Sequence, residues 1–294
     1  MAFNGVLHQV RKDSSLKAAL FASASVSLGE EIMLCVDAAF AQDSAIDEVG
    51  LVFSAAEPSA VGGAAALSDG DAVTRRRAVA RASVVLHEHK LGLAFSALPA
   101  LYSAARALFM RRPLADGVAA RATRSMLLVN ADCYVAWAMR KRLVVRSAAT
   151  AEGEIALCDL VLTQHPKSME TWTHREWALR RALGESADAS QRASLGAGAG
   201  ASAIGGVGGG SNTRSGGSAA AAPARAQLAL LQRELRACAK ACSDYPRNYY
   251  AWTHRLRVCR RLAHGAASLV AMVSFLLFTV IFYANLAHSL TRSP

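Results

Sequence analysis

One motif recurs three times and restricts what this chain can fold into. Its fullest form runs from His165 to Arg181 and contains Pro166-Lys167-Ser168-Met169-Glu170-Thr171-Trp172-Thr173-His174-Arg175. It returns from Tyr245 to Leu262 as Pro246-Arg247-Asn248-Tyr249-Tyr250-Ala251-Trp252-Thr253-His254-Arg255. A weaker copy runs from Asn130 to Leu143 and centres on Trp137 and Arg140. Arg follows the tryptophan by three residues in every copy, and Pro precedes it by six in two of them. Trp137 and Trp172 are 35 residues apart, the period of a helix-turn-helix repeat. Trp172 and Trp252 are 80 apart, and a low-complexity insert, Ser186 to Ala222, accounts for the excess. Without it the gap is roughly 43, near one period of that class.

Each copy reads as a turn followed by a helix start. Proline ends the preceding helix, because the residue before it avoids the helical region. Ser168 and Asn248 then stand where an N-cap oxygen is wanted, whereas Cys133 in the first copy is a poor cap. Glu170 lies in the first turn, where a negative charge suits the helix dipole. Trp172 with Arg175, and Trp252 with Arg255, are three apart and share a helical face. On the residues alone, the tryptophans are packing anchors between stacked hairpins and the arginines pair with a neighbouring carboxylate or carbonyl.

The rest of the chain supports an all-α reading. Ala is abundant, helix formers dominate and long alternating patterns are scarce. Residues 41–75 read as a connector broken by Pro58, Gly62, Gly63 and Gly70, with Ile46 to Val52 as a short extended segment inside it. Residues 94–129 hold two helices separated near Arg112-Pro113. Glu152–Gln164 and Pro223–Ser243 are amphipathic helices that precede the second and third motifs. Val6 to Leu20 reads as a first helix rather than a targeting signal, since Asp13, Glu30 and Glu31 count against a signal. The insert, Gly, Ser and Ala with almost no apolar mass, is expected to be a flexible loop.

Ala266 to Ala287 contains no charged residue and is long enough to cross a bilayer. Arg260, Arg261 and His264 precede it and only Arg292 follows, which would leave the repeats on the cytosolic side. A buried helix closing the repeat array is the other reading. The formal net charge of +11 allows nucleic acid, an anionic membrane or an acidic partner. No nucleic-acid motif accompanies it and the arginines are scattered, so nucleic acid is not expected as a partner. Cys238 and Cys242 lie one helical turn apart but have no histidine pair beside them, so the six cysteines read as buried free thiols in a reducing compartment.

The motifs Pro-Lys-x-x-x-x-Trp-x-His-Arg and Pro-Arg-Asn-Tyr-x-x-Trp-x-His-Arg resemble the repeats of protein prenyltransferase alpha subunits. Ile46-Asp47-Glu48-Val49-Gly50-Leu51 and His89-Lys90-Leu91-Gly92-Leu93 resemble segments of repeat-containing members of that family, of the geranylgeranyltransferase alpha type. The resemblance implies a right-handed α-α superhelix of helical hairpins over residues 1–264, followed by the hydrophobic 266–287 helix. It implies a cytoplasmic scaffold for a beta subunit that holds the zinc, the isoprenoid pocket and the C-terminal cysteine of an acceptor protein. This chain would then need no cofactor of its own, and no catalytic constellation is visible in it. In related alpha subunits a Lys five residues before the tryptophan and a Tyr three before it reach the isoprenyl diphosphate. Carried over, these positions are Lys167 and Met169, Arg247 and Tyr249, and Asp132 and Tyr134, so Lys167, Arg247 and Tyr249 are the expected diphosphate contacts. Trp137, Arg140, Trp172, His174, Arg175, Trp252, His254 and Arg255 are the expected structural residues of the motifs. A helical-repeat adaptor without enzymatic activity, tail-anchored in a membrane, is the competing reading.

Overall fold

The computed structural model describes residues 27–53, 69–111, 113–185 and 221–265. The expected first helix, nearly all of the Gly-rich insert and the hydrophobic 266–287 segment lie outside the described residues. Among the described residues, no helix is long and apolar enough to cross a membrane. The chain divides into two compact units, residues 1–178 and 179–294.

In the first unit, α1 spans Leu28–Gln42. It starts at a capping box: Ser27 Oγ accepts from Glu30 N–H (3.2 Å) and Glu30 Oε2 accepts from Ser27 N–H (2.7 Å). Ile32 through Val36 are buried, so the helix runs through the core rather than along its surface. It packs on α3, Leu98–Met110. At Gly29 the approach is so close that an added Cβ would meet the Ala100 carbonyl oxygen at 2.1 Å. Helix α2, Asp69–Ala82, comes between them in sequence, and α4, Asp116–Val129, follows α3. The break near Arg112-Pro113 therefore falls where the proline places it.

A three-stranded sheet corrects the all-α expectation. Its strands are β1 (Glu48–Val52), β2 (Val84–His87) and β3 (Lys90–Ala94), in the order β1-β3-β2. β1 runs parallel to β3 and pairs Gly50 with Gly92; β2 is antiparallel to β3 and pairs Val85 with Gly92. The two stretches Ile46–Leu51 and His89–Leu93 thus lie side by side. Val49, Leu91 and Leu93 face the core. The outer edge of β1 is closed by side chains: Thr163 Oγ1 accepts from Val49 N–H at 3.1 Å, and the Gln164 amide donates to the Val49 carbonyl. The hairpin turn is Glu88-His89, both with positive φ (45° and 64°). Such a turn ordinarily calls for Asn-Gly, and its absence hid the hairpin from the sequence.

Among the described residues, three helical hairpins follow. The first is α4 with α5 (Tyr134–Val145). The second is α6 (Ala151–Gln164) with α7 (Met169–Ala182). The third, in the second unit, is α8 (Ala221–Asp244) with α9 (Tyr249–Gly265). In that unit Leu231, Cys238 and Cys242 form the buried stripe of α8, and Ala251, Val258 and Cys259 that of α9. The chain is mostly helical, as the periodicity implied. Gly29→Ala is expected to lower the urea midpoint by an amount equivalent to about 1–3 kcal/mol, the range for overpacking, because backbone has to move. Gly117→Ala, where an added Cβ meets nothing within 4 Å, serves as the control.

Candidate functional site

The three hairpin connectors share one construction. Each places four residues between its helices: Asn130 to Cys133, His165 to Ser168, and Tyr245 to Asn248. In each, the indole N–H of the motif tryptophan donates back to the carbonyl six residues earlier. The bonds are Trp137 to Ala131 (2.8 Å), Trp172 to Pro166 (2.9 Å) and Trp252 to Pro246 (2.8 Å). The tryptophan is therefore a stitch across its own turn as well as a packing body. The expected caps form in the second and third copies: Ser168 Oγ accepts from Thr171 N–H and Asn248 Oδ1 from Ala251 N–H, both at 3.2 Å. Cys133 makes no cap bond. Asn130 Oδ1 holds that turn instead, accepting from Asp132 N–H at 3.2 Å.

The motif histidines, and Arg140 of the first copy, meet buried carboxylates. His174 Nε2 lies 2.9 Å from Glu154 Oε2, and His254 Nε2 lies 2.8 Å from Glu234 Oε2. Both glutamates stand twenty residues before their histidine, on the first helix of the same hairpin, and are fully buried. Glu154 also takes Arg140 from the preceding hairpin, whose Nη2 donates to Oε1 at 2.6 Å and Nε to Oε2 at 2.8 Å. Arg140 spends a further N–H on the Ala120 carbonyl (3.1 Å). The indole of Trp137 stacks on the His174 ring with centroids 4.3 Å apart. Trp137, Arg140, Glu154 and His174 thus form one interlocked group that joins two hairpins. Ser168 Oγ donates to Asp132 Oδ1 (2.6 Å) and joins their connectors.

Burial opposes charge on both Glu154 and His174. It pushes the Glu154 carboxyl upward, but the hydrogen bonds from His174 and Arg140 and the charge of Arg140 outweigh it and hold the group below its ordinary value. For His174 burial wins over the pull of Glu154, and the imidazole is held below its ordinary 6.5. The pair therefore works as an ionised carboxylate accepting from a neutral imidazole. That agrees with His174 Nδ1, which is buried with no hydrogen-bond partner.

The second motif arginine behaves differently. Arg175 pairs with Asp159 (Nη1 to Oδ1, 2.7 Å) and lies 5.9 Å over the Trp172 ring. Arg255 sits at the same distance over Trp252. The residues expected to meet a diphosphate are all exposed: Lys167 in the second connector, Arg247 in the third and Tyr249 at the start of α9. Lys167 lies in one unit and the other two in the second. Met169 and Tyr134, at the equivalent positions, are exposed as well. Cys238, Cys242 and Cys259 are free and buried, and burial pushes the Cys242 thiol to about 11, so it is no nucleophile near neutrality. Among the described residues, no three His, Cys, Asp or Glu side chains are grouped to hold a metal. In the second unit a groove of about 510 Å³ is lined by Leu183, Glu185, Leu231, Arg257, Arg260 and Arg261. Its carboxylate is already engaged, with Arg261 Nε donating to Glu185 Oε1 at 2.8 Å.

The sequence names the tryptophans, histidines and arginines and implies a carboxylate or carbonyl for the arginines, which Arg140 and Arg175 find, but it does not single out which carboxylates. Glu154, Glu234 and Asp159 were missed. The signal that finds the first two is the repeated spacing of twenty residues between glutamate and histidine.

These features define a class: tandem helical hairpins whose second helices carry a turn-stitching tryptophan, joined in the second and third hairpins by a buried histidine. The protein prenyltransferase alpha subunit repeat model matches residues 151–182 and 231–262, the second and third hairpins. Protein prenyltransferase alpha subunit repeat-containing protein 1 of Danio rerio is 33% identical over 190 residues, covering 63% of this chain and 40% of that one. Its Homo sapiens counterpart is 32% identical over 143 residues, covering 48% and 30%. Residues 151–182 and 231–262 are therefore similar to the prenyltransferase alpha subunit repeat. The chain spans less than half the length of the curated relatives it matches.

Glu154→Ala leaves two buried donors without an acceptor and is expected to destabilise by about 3–5 kcal/mol in urea unfolding, against less than about 0.5 kcal/mol for the exposed Glu152→Ala. Stability should also fall with acid. His174 takes up its proton only on unfolding, so its contribution is complete above about pH 6.5 and diminishes as pH falls from there toward its lower folded value. Glu154 adds to the loss further down, where pH falls below 4.5 and through its depressed folded value. Urea midpoints measured from pH 8 to pH 4 should show this slope, and His174→Gln should make the upper part shallower.

Proposed function

We propose that the chain is the alpha-type, non-zinc-binding subunit of a heterodimeric protein prenyltransferase of geranylgeranyl specificity. The observation that carries this reading is the repeat itself: matching hairpins with Trp-x-His-Arg second helices, aligned with the prenyltransferase alpha subunit repeat. The interlocked tryptophans, histidines and carboxylates are spent on holding hairpins together, which suits a scaffold. The chemistry would then reside in a cytoplasmic beta subunit, where zinc and the acceptor cysteine would meet the isoprenoid. The part left to this chain is to bind that subunit and to offer cations to the leaving diphosphate. Lys167, Arg247 and Tyr249 are exposed beside helix starts, where a cation or phenol can stabilise the charge that develops on a leaving group.

The test is co-purification of the full chain with a geranylgeranyltransferase beta subunit, followed by labelled geranylgeranyl transfer to acceptor proteins ending in a cysteine motif. A stable complex whose transfer fails without this chain is the expected result. Lys167→Ala should then lower kcat by about tenfold or more with the complex intact, as expected for a group that acts on developing charge. A well-folded chain that forms no such complex would favour the helical-repeat adaptor. The first connector points that way in one respect: it carries Asp132 where Lys167 stands, already bonded to Ser168.

A further inference from the structure

The positive charge of this chain is unevenly placed. The described residues of the first unit carry fifteen Lys and Arg against sixteen Asp and Glu. Those of the second unit carry eleven against three. All three of these acids are engaged inside their own unit: Glu185 by Arg261, Glu234 by His254 and Asp244 by Lys240. The field of the second unit is therefore cationic, and a recess in its surface concentrates such a field. The recess is the groove of about 510 Å³. Arg257, Arg260 and Arg261 line it from α9, at spacings of three and four that set them on one side of the helix. Arg257 and Arg260 are exposed. Leu183 and Leu231 give the groove an apolar wall, beside which the Gln227 amide donates to the Leu183 carbonyl at 3.4 Å. Like charges at such spacings repel, and the lining offers one carboxylate, Glu185, to three guanidinium groups.

We infer that this groove is a docking site for an acidic linear segment of a partner protein, one in which an apolar side chain is flanked by glutamates or aspartates. The leucines would take the apolar side chain. The guanidinium forks would take the carboxylates, whose planar pairs of oxygens they match. Charge sets the sign of the occupant, and the lining sets its class. No aromatic ring lines the groove on which a base could stack, which disfavours single-stranded nucleic acid. A recess walled by leucines is not filled by a layer of lipid headgroups. The adjoining insert, residues 186–222, carries a single acid, Asp188, and does not have the required pattern. The inference is independent of prenyl transfer, because none of Lys167, Arg247 and Tyr249 lines the groove.

The probe is a labelled peptide of about ten residues, glutamates around a central pair of leucines. Its binding to the full chain is read by fluorescence anisotropy at physiological ionic strength. The expected dissociation constant is on the order of micromolar. Arg257→Glu combined with Arg260→Glu should weaken binding by about tenfold or more. Arg225→Glu combined with Arg236→Glu makes the same change in net charge at exposed positions of α8 outside the groove, and should weaken binding by less than about threefold. With the protein unaltered, serines in place of the peptide's leucines should also weaken binding by about tenfold. Equal losses in the two double variants, or a serine peptide that binds as well as the leucine peptide, would reduce the attraction to net charge and overturn the inference. A leucine peptide that does not bind overturns it as well. A single-stranded oligonucleotide or phosphatidylserine vesicles that bind more tightly than the peptide, and lose that binding in the Arg257 and Arg260 double variant, would give the groove to nucleic acid or to a membrane and likewise overturn it. A dimer of the unmodified chain in sedimentation equilibrium that the same double variant dissociates would assign the groove to a second copy, with the same consequence.

Discussion

The arrangement of the hairpins in the first unit depends on one buried carboxylate. Glu154 is fully buried and would be expensive to ionise alone. It is ionised because two hairpins supply donors to it: Arg140 through two of its nitrogens from one side, His174 from the other. Neither donor is complete without the acceptor. His174 is 1% exposed, and Arg140 has only the Ala120 carbonyl besides. The Trp137 ring closes the group from above, against the imidazole. A change at any of the four members therefore exposes the rest.

The connectors show how one backbone geometry tolerates different sequences. Ser168, Asn248 and Cys133 share the position before the second helix, and only the first two cap it. The turn survives in the first copy because the indole bond does not depend on the cap. An N–H six residues ahead reaches a turn carbonyl whether that carbonyl belongs to Ala131, Pro166 or Pro246. Tryptophan is the natural residue for the task, since its ring fills the hairpin base while its one donor points along the ring plane. Proline helps by ending the first helix, but it is not required, as Ala131 shows.

The helices were legible because their signals are local. Apolar stripes at three and four, N-cap residues and the proline breaks lie within a few residues of what they predict. α6 and α8 begin and end within a residue or two of their expected bounds. Of the sheet, only β1 was legible, as the extended segment Ile46 to Val52; its partners and pairing were not, for the opposite reason. β1 and β3 are about forty residues apart in the chain, each is five residues long, and each carries a glycine where an outward side chain would stand. The turn that joins β2 to β3 uses Glu88 and His89 in a conformation that ordinarily advertises itself with Asn-Gly. The buried glutamates were invisible as single residues, because a Glu inside an amphipathic helix normally marks the wet face. Only their recurrence twenty residues before a histidine distinguishes them.

The first hairpin indicates what the polar pair is for. Where the second and third copies have His174 and His254, it has Met139, and twenty residues earlier stands Ala119; both are buried. Histidine and glutamate are thus absent together, and the hairpin still closes with the same connector. A single hairpin therefore needs no buried charge, in keeping with the near-equivalence of buried ion pairs and apolar packing. What an apolar interior does not provide is register between one hairpin and the next, because leucines and alanines can slide by a turn at small penalty. Arg140 cannot, since two of its nitrogens meet two oxygens of one carboxylate. At the first junction this charge pair lies between repeats, where a slip would be cheapest, whereas Arg175 meets Asp159 within its own hairpin and ties the two helices of one repeat together.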